Sequence, residues 1–346
     1  MTQWYSKAFL VCLALMTAAS VSQAAETKGG RLLMTGAGST FINPLFSKWF
    51  SEYNKKFPNV EINYQSIGSG GGIKQLQKKT IDFGATDVPM TEKELADAAA
   101  PVLHFPVAIG AVVLSYNLPE LKGTLNLDAA TISAIVKGQI KSWDDTALKA
   151  LNPALALPKR PLVFIYRSDS SGTTGVFTEY LGKSDPNFAK EVGVGKAIKW
   201  PTGLGGKGNE GVTANLKNTV GSIGYVELTY ALNEKLPMAA IKNPAGKFVI
   251  AELGSVTEAA AQSLKDIPAD FKVSLTNAPG AKSYPISSFA YLLAYEKTAK
   301  PAGDELVRLM NWALADGQKM APALGYAPLP AALVKKMQPA LSKIAN

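Results

Sequence analysis

Twice within the first sixty residues or so after position 30, the chain runs from a strand-like stretch through a loop of glycines and hydroxyl residues into a helical stripe. Leu32-Leu33-Met34 opens onto Gly36-Ala37-Gly38-Ser39-Thr40-Phe41. Leu45, Phe46, Trp49, Phe50, Tyr53 and Phe57 follow at helical spacing, and Pro58 stops the stripe. The segment Val60 to Ile67 alternates as a strand does and enters Gly68-Ser69-Gly70-Gly71-Gly72, after which Ile73 and Leu76 predict a short helix. Ile81 to Asp87 reads as a further strand that ends in a polar loop. A repeated strand, loop and helix of this kind predicts an α/β fold whose sites lie at the carboxyl ends of strands.

Two long apolar runs, Phe105 to Tyr116 and Tyr284 to Tyr295, flank a middle segment that is itself α/β in pattern. That placement suits a chain that crosses from one domain to a second and returns, and 346 residues allow about two domains. In the middle segment Leu162-Val163-Phe164-Ile165-Tyr166 reads as a buried strand. It leads into Arg167-Ser168-Asp169-Ser170-Ser171-Gly172-Thr173-Thr174 and a helical face of Val176, Phe177, Tyr180 and Leu181. Leu306, Leu309, Met310 and Ala313, then Leu333, Met337 and Leu341, predict helices near the C-terminus.

Residues 1–24 differ in character: Lys7 precedes the apolar run Ala8 to Met16, and small residues lead to Ala24. This is the pattern of a secretory signal peptide cleaved after Ala24. A run this short cannot span ~30 Å of hydrocarbon at ~1.5 Å per residue. Cys12 sits in mid-run after Leu10-Val11, where a lipidation signal would need a small residue before it, so the expected product is exported and not lipid-anchored. Cleavage takes away Lys7 and no acid, which lowers the net charge from +9 to +8 and leaves no cysteine. The single histidine, His104, excludes Cys/His zinc clusters, and any Ser-His-Asp enzyme would depend on it alone.

Three loops place hydroxyls and glycines where a strand hands over to a helix: Gly38-Ser39-Thr40-Phe41, Gly68-Ser69-Gly70-Gly71 and Ser170-Ser171-Gly172-Thr173. A helix N-terminus offers unpaired N–H groups and about half a unit of positive charge, which suits an anion. Taken singly, each loop is equally an ordinary helix cap. Three of them, one directly after an arginine, shift the reading toward a tetrahedral oxyanion. Neither nucleotide motif fits, since Gly36 to Phe41 lacks the third glycine of the dinucleotide fingerprint and Gly206-Lys207 is followed by Gly208 in place of Ser or Thr.

These strings resemble the periplasmic phosphate-binding proteins of high-affinity ABC transporters. The likeness rests on Thr35 to Phe41, Tyr64 to Gly72, Asp82 to Asp87 and Arg167 to Thr173, with Lys141 to Asp145, Trp200 to Asn209 and Gly221 to Glu227 in the same order. It implies a type II periplasmic-binding-protein fold, in which two α/β lobes hold the ligand in the cleft between them. Lobe 1 would comprise 25–116 and 287–346, and lobe 2 would comprise 117–286. Carried over by motif position, phosphate would be held by Thr40, Phe41 through its backbone N–H, Ser69, Asp87, Arg167, Ser171, Gly172 and Thr173, with Asp169 orienting Arg167. The chain departs from the pattern in having Gly70 where relatives often have Ser and Thr86 for Ser.

The residue chemistry agrees with that set. Arg167 offers a fixed fork of donors, and its alternative is a surface ion pair worth ~0–1 kcal/mol. Asp87 is out of place beside an anion unless the ligand carries a proton; phosphate offers an O–H near neutrality and sulfate does not. Its bland alternatives are a cap for a helix near Thr91 or a turn before Pro89. The resemblance further implies capture by lobe closure and delivery to the membrane permease subunits of a phosphate ABC transporter with its ATPase subunits. No cofactor, metal or nucleic acid is expected, and the chain is expected to be a monomer with no enzymatic activity. The rival class is an exported phosphatase or phosphate-ester-binding protein that uses the same cradle. Such an enzyme would need a base or metal set that Asp144-Asp145, His104 and Ser170-Ser171 do not supply in sequence. A third reading is an adhesive role for the basic exterior.

Overall fold

The computed structural model describes residues 27–28, 30–264 and 267–345; the signal-peptide segment, with Lys7 and Cys12, lies outside them. Twelve strands are found among the described residues: β1 (Thr27–Lys28), β2 (Arg31–Gly38), β3 (Val60–Ser66), β4 (Phe83–Thr86), β5 (Val102–Asn117), β6 (Asn126–Leu127), β7 (Val163–Arg167), β8 (Leu204–Gly206), β9 (Ser222–Glu227), β10 (Ala240–Lys242), β11 (Phe248–Val249) and β12 (Ser287–Tyr295). The main sheet runs β1-β2-β4-β12-β5-β9-β7-β8, with β3 also paired to β2. A small sheet, β11-β10-β6, stands apart from it.

The pairing directions divide the main sheet into two parallel halves. β2 runs parallel to β3 and β4, and β7 runs parallel to β8 and β9. Between the halves lie the two apolar runs, as antiparallel strands. β5 pairs with β12 from Val102 to Ala111 and with β9 from Val112 to Asn117, so one strand belongs to both halves. Pro106 has no N–H to give the ladder, and it lies at a register shift opposite Tyr291, a bulge of the kind that tolerates proline.

The helical stripes do what their spacing predicts. Leu45, Phe46, Trp49, Phe50 and Tyr53 are the buried face of the helix Asn43–Lys56, which ends with Phe57 as its C-cap. Phe46 meets Tyr64 of β3 edge to face at 5.2 Å, and Trp49 donates to the Gly317 carbonyl at 2.8 Å. Burial of such side chains stabilises by about 1.5–3 kcal/mol each. Leu306, Leu309, Met310 and Ala313 are buried on the helix Ala302–Ala315, and Leu333, Met337 and Leu341 on Ala331–Leu341. Asp145 caps the helix Thr146–Leu151 by accepting from the Ala147 N–H at 2.8 Å. His104 is buried in β5, where its Nε2 accepts from the Met90 N–H at 3.1 Å. Burial, with the charge of Lys272 adding to it, holds the imidazole down to about 4.

Candidate functional site

Parallel strands deliver their carboxyl ends to one edge, and here the two halves turn those edges toward each other. β2 ends at Gly38 and the helix Asn43–Lys56 begins beyond Thr40 and Phe41; β3 ends at Ser66 and the helix Ser69–Gln77 follows. From the other half, β7 ends at Arg167 before the helix Gly172–Ser184, and β8 ends at Gly206 before Gly208–Asn218. Bonds across the gap join them. The Gly172 N–H donates to Ser69 Oγ at 3.1 Å, and the Gly70 N–H donates to the Ser170 carbonyl at 2.9 Å. Asn209 Nδ2 donates to Thr40 Oγ1 at 2.8 Å and to Thr173 Oγ1 at 3.2 Å. Four helix N-termini therefore share one buried space, and their N–H groups and dipoles favour negative charge there. At the rim Lys196 reaches Glu94 at 2.7 Å, and the Tyr230 hydroxyl donates to the Thr40 carbonyl at 2.7 Å.

Arg167 is the one buried cation among these loops. Its Nε donates to Asp169 Oδ1 at 2.8 Å and its Nη2 to Asp169 Oδ2 at 2.5 Å, while Nη1 donates to Thr173 Oγ1 at 3.2 Å. A guanidinium has five N–H donors, so one remains on each terminal nitrogen, facing away from Asp169. Burial works against the Asp169 charge, but the Arg167 bonds, its charge and the Gly208 N–H outweigh it and hold the carboxyl below its ordinary range. The guanidinium is thus fixed before any ligand arrives.

Asp87, at 1% exposure, lies within range of the Arg167 charge. Its Oδ1 accepts from the Ser39 hydroxyl, and Oδ2 lies against the Gly172 backbone, where an added Cβ would sit 2.4 Å away. Burial pushes its carboxyl up to about 7, even though the Ser39 hydroxyl, the Arg167 charge and the Thr173 hydroxyl each pull the other way. The capping reading of Asp87 does not apply, because Thr91 itself caps the helix Glu92–Ala96; Asp87 does lie in the bend before Pro89, with its side chain turned to Ser39 and the Gly172 backbone. A site lined by donors and one nearly neutral-poised carboxyl can hold an anion that keeps a proton.

The expected residues assemble here. Thr40, Ser69, Asp87, Arg167, Ser171, Gly172 and Thr173 are all buried at this junction. Phe41 has a double role: its ring packs in the core against Tyr326, and nothing among the described residues accepts from its backbone N–H. Ser171 does cap its helix, accepting from the Thr174 N–H at 3.1 Å, which still leaves its hydroxyl proton to donate. Sequence reasoning did not single out Ser39 or Asn209. Ser39 lay inside a loop already noted, and Asn209 ended a stretch counted toward the family resemblance and weighed as a phosphate-loop pattern, but given no role of its own. The departure at Gly70 has a steric reason, since a Cβ there would lie 2.1 Å from Ser170 Oγ of the facing loop.

Comparison with known proteins gives a consistent result. A family model described as the PBP superfamily domain matches residues 18–316. The phosphate-binding protein PstS of Pasteurella multocida is 40% identical over 334 residues, which cover 96% of this chain and 94% of that protein. Its namesake from Haemophilus influenzae is 42% identical over 307 residues, covering 88% and 91%. Among solved structures, a putative phosphate ABC transporter substrate-binding protein with bound phosphate from Clostridium perfringens shares the fold at 17% identity. Its TM-score is 0.63, covering 86% of this chain and 100% of that one.

Proposed function

The chain belongs to the PstS family of phosphate-binding proteins within the PBP superfamily, and on that premise we propose that it captures inorganic phosphate in the periplasm for import by an ABC transporter. The observation that carries this reading is Asp87: a buried carboxyl set between Ser39 and the Gly172 backbone, within range of the Arg167 charge. Thr40, Ser69, Ser171 and Thr173 would donate hydroxyl protons to phosphate oxygens, Phe41 and Gly172 would donate backbone N–H, and Arg167 would give a bidentate contact. Asp87 would accept the ligand's own O–H. Sulfate has none to give, and sites built to bond a specific O–H discriminate by ~10⁴–10⁵ against analogues that lack it.

Capture would proceed by closure of two lobes, 25–116 with 287–346 against 117–286, about the crossing strands β5 and β12. Bonds from both halves hold the closed form, so a ligand that adds contacts to both stabilises it. The closed monomer would then dock on permease subunits served by ATPase subunits. Export would use the signal peptide, without a lipid anchor; among the described residues no helix is long and apolar enough to cross a membrane. The curated relatives are named as binding proteins, which supports a binder over a phosphatase.

A thermal-shift panel of phosphate, sulfate, arsenate and phosphate monoesters on the mature chain tests the reading. Selective stabilisation by free phosphate is expected. Equal shifts with sulfate, or turnover of a chromogenic phosphomonoester, would overturn it.

A further inference from the structure

Asn209 is wholly buried and touches hydroxyls that belong to the two halves of the site. We propose that Asn209 is a positioning residue for anion capture: it holds the Thr173 hydroxyl as an obligate donor within its own half and makes the Thr40 hydroxyl one as the halves close. The inference rests on the phosphate-binding reading above.

Hydrogen-bond direction decides the matter. The Glu227 N–H can only donate, and it meets Asn209 Oδ1 at 3.0 Å, so the oxygen end of the amide is assigned and Nδ2 is the end at the threonines. Nδ2 can only donate, to Thr40 Oγ1 at 2.8 Å and Thr173 Oγ1 at 3.2 Å. The Asn209 backbone N–H gives Thr40 Oγ1 a second donor at 3.2 Å, and Arg167 Nη1 gives Thr173 Oγ1 its second, also at 3.2 Å. A hydroxyl oxygen has two acceptor sites and one proton. With both acceptor sites filled, each threonine keeps only the capacity to donate. The Thr40 proton fits an oxygen that carries none; the Thr173 hydroxyl donates to Asp87 in this structure and would turn its proton to the ligand once Asp87 takes the ligand's own O–H.

The same amide is specific to the closed arrangement. Thr40 follows β2 of the first parallel half, whereas Arg167 ends β7 and Thr173 and Asn209 lie in the first turns of helices of the second. Separation of the halves frees Thr40 Oγ1 to rotate and to accept from water or ligand alike. Closure therefore fixes both geometry and proton direction at Thr40 in one step, whereas Thr173 is already set from its own half, and the bond from the Glu227 backbone keeps the amide from flipping.

Calorimetry with inorganic phosphate on the full mature chain tests this through a double-mutant cycle of Asn209→Ala against Thr40→Val with Thr173→Val. Asn209→Ala is expected to weaken phosphate binding by roughly 30-fold or more in the parent, the size of two lost oriented bonds. In the Thr40→Val, Thr173→Val background it should cost under about threefold, because no hydroxyl remains to orient. Equal costs in the two backgrounds would show a merely structural residue and overturn the inference, as would unchanged affinity in Asn209→Ala. If that variant does not fold, Asn209→Ser runs the same cycle. Failure of the parent chain to bind phosphate would overturn the functional reading and this inference with it; phosphate binding with no coupling overturns this inference alone.

Discussion

Replacement of Asp87 by Asn should open the site to sulfate, and the size of the effect follows from where the carboxyl titrates. Sulfate brings no proton, so it can be accommodated only if Asp87 is protonated and donates. In an open cleft Asp87 is wet and ionises near the ordinary ~3.9. Supplying its proton at pH 8 then costs about 4 pKa units, or about 6 kcal/mol, a factor of about 10⁴ in sulfate affinity. That factor is at the lower edge of what O–H-reading sites achieve. In the closed arrangement, by contrast, burial has already raised the carboxyl to about 7. A chain that rested closed would pay only about one unit at pH 8, a factor of about 10.

Phosphate and sulfate titrations by calorimetry from pH 8 to pH 4 therefore report two things at once. Sulfate affinity in the parent should rise about tenfold per pH unit as pH falls. It should level off near pH 7 if the resting cleft is closed, and near pH 4 if it is open. Asn at 87 can accept from phosphate through its oxygen and donate to sulfate through its nitrogen, so the variant should bind sulfate with no such slope. Flat sulfate affinity in the parent over this range, or undiminished rejection of sulfate by Asp87→Asn, would refute the assignment of specificity to this residue.

Two further outcomes are expected. Gly172→Ala adds a Cβ 2.4 Å from both Asp87 Oδ2 and Ser69 Oγ, which lie in the other half, so closure rather than folding should suffer. Phosphate affinity is expected to fall more than about 100-fold with the ligand-free melting temperature nearly unchanged, since Ala is the better helix former; tight binding by this variant would contradict the closed geometry. His104, held at about 4 by burial and Lys272, takes up a proton on unfolding below its ordinary pKa near 6.5. Its contribution is complete above pH 6.5 and is lost as pH falls through 4, up to about 3 kcal/mol, whereas Asp87, raised in the closed form, titrates in the opposite sense. Urea unfolding at pH 7 and pH 4.5 should show a smaller acid loss in His104→Gln than in the parent, and an equal loss would remove His104 from the account.

Which parts of this molecule its sequence reveals depends on how local their causes are. The helix Asn43–Lys56 and the runs that became β5 and β12 were readable because burial on one face, or on both, imprints a period or an unbroken apolar stretch. β8 was not, because Leu204-Gly205-Gly206 carries a single apolar side chain and that one is half exposed. With the strand unread, the loop after it could be quoted as a motif but not placed at the site, and Asn209 was given no role. Ser39 presents the other limit. Its partner Asp87 is 48 positions away, and no local pattern marks which of two adjacent hydroxyls will face a carboxylate and which a ligand. The Gly70 departure likewise becomes intelligible only when Ser170 is seen to fill the space a side chain would need.

The charge balance makes the same point from the opposite direction. A net +9 on the chain suggests anion binding by bulk attraction, yet these loops hold one buried cation, Arg167, already paired with Asp169 and within range of Asp87. The formal charge of the site is zero or negative, so on the proposed reading attraction of a dianion would have to come from fixed dipoles: four helix N-termini, the Phe41 N–H, and the hydroxyls proposed to turn their protons inward. Dipoles at a few ångströms act over less than a Debye length, so salt screens them little, whereas a charged exterior loses most of its pull within about 10 Å at 0.1 M. Oriented donors also distinguish ligands by where their protons lie, which a pool of positive charge cannot do. On the proposed reading the surplus lysines could serve only encounter at the surface, and the selection of phosphate would belong to a buried arrangement in which a carboxylate next to an anion is the discriminating contact.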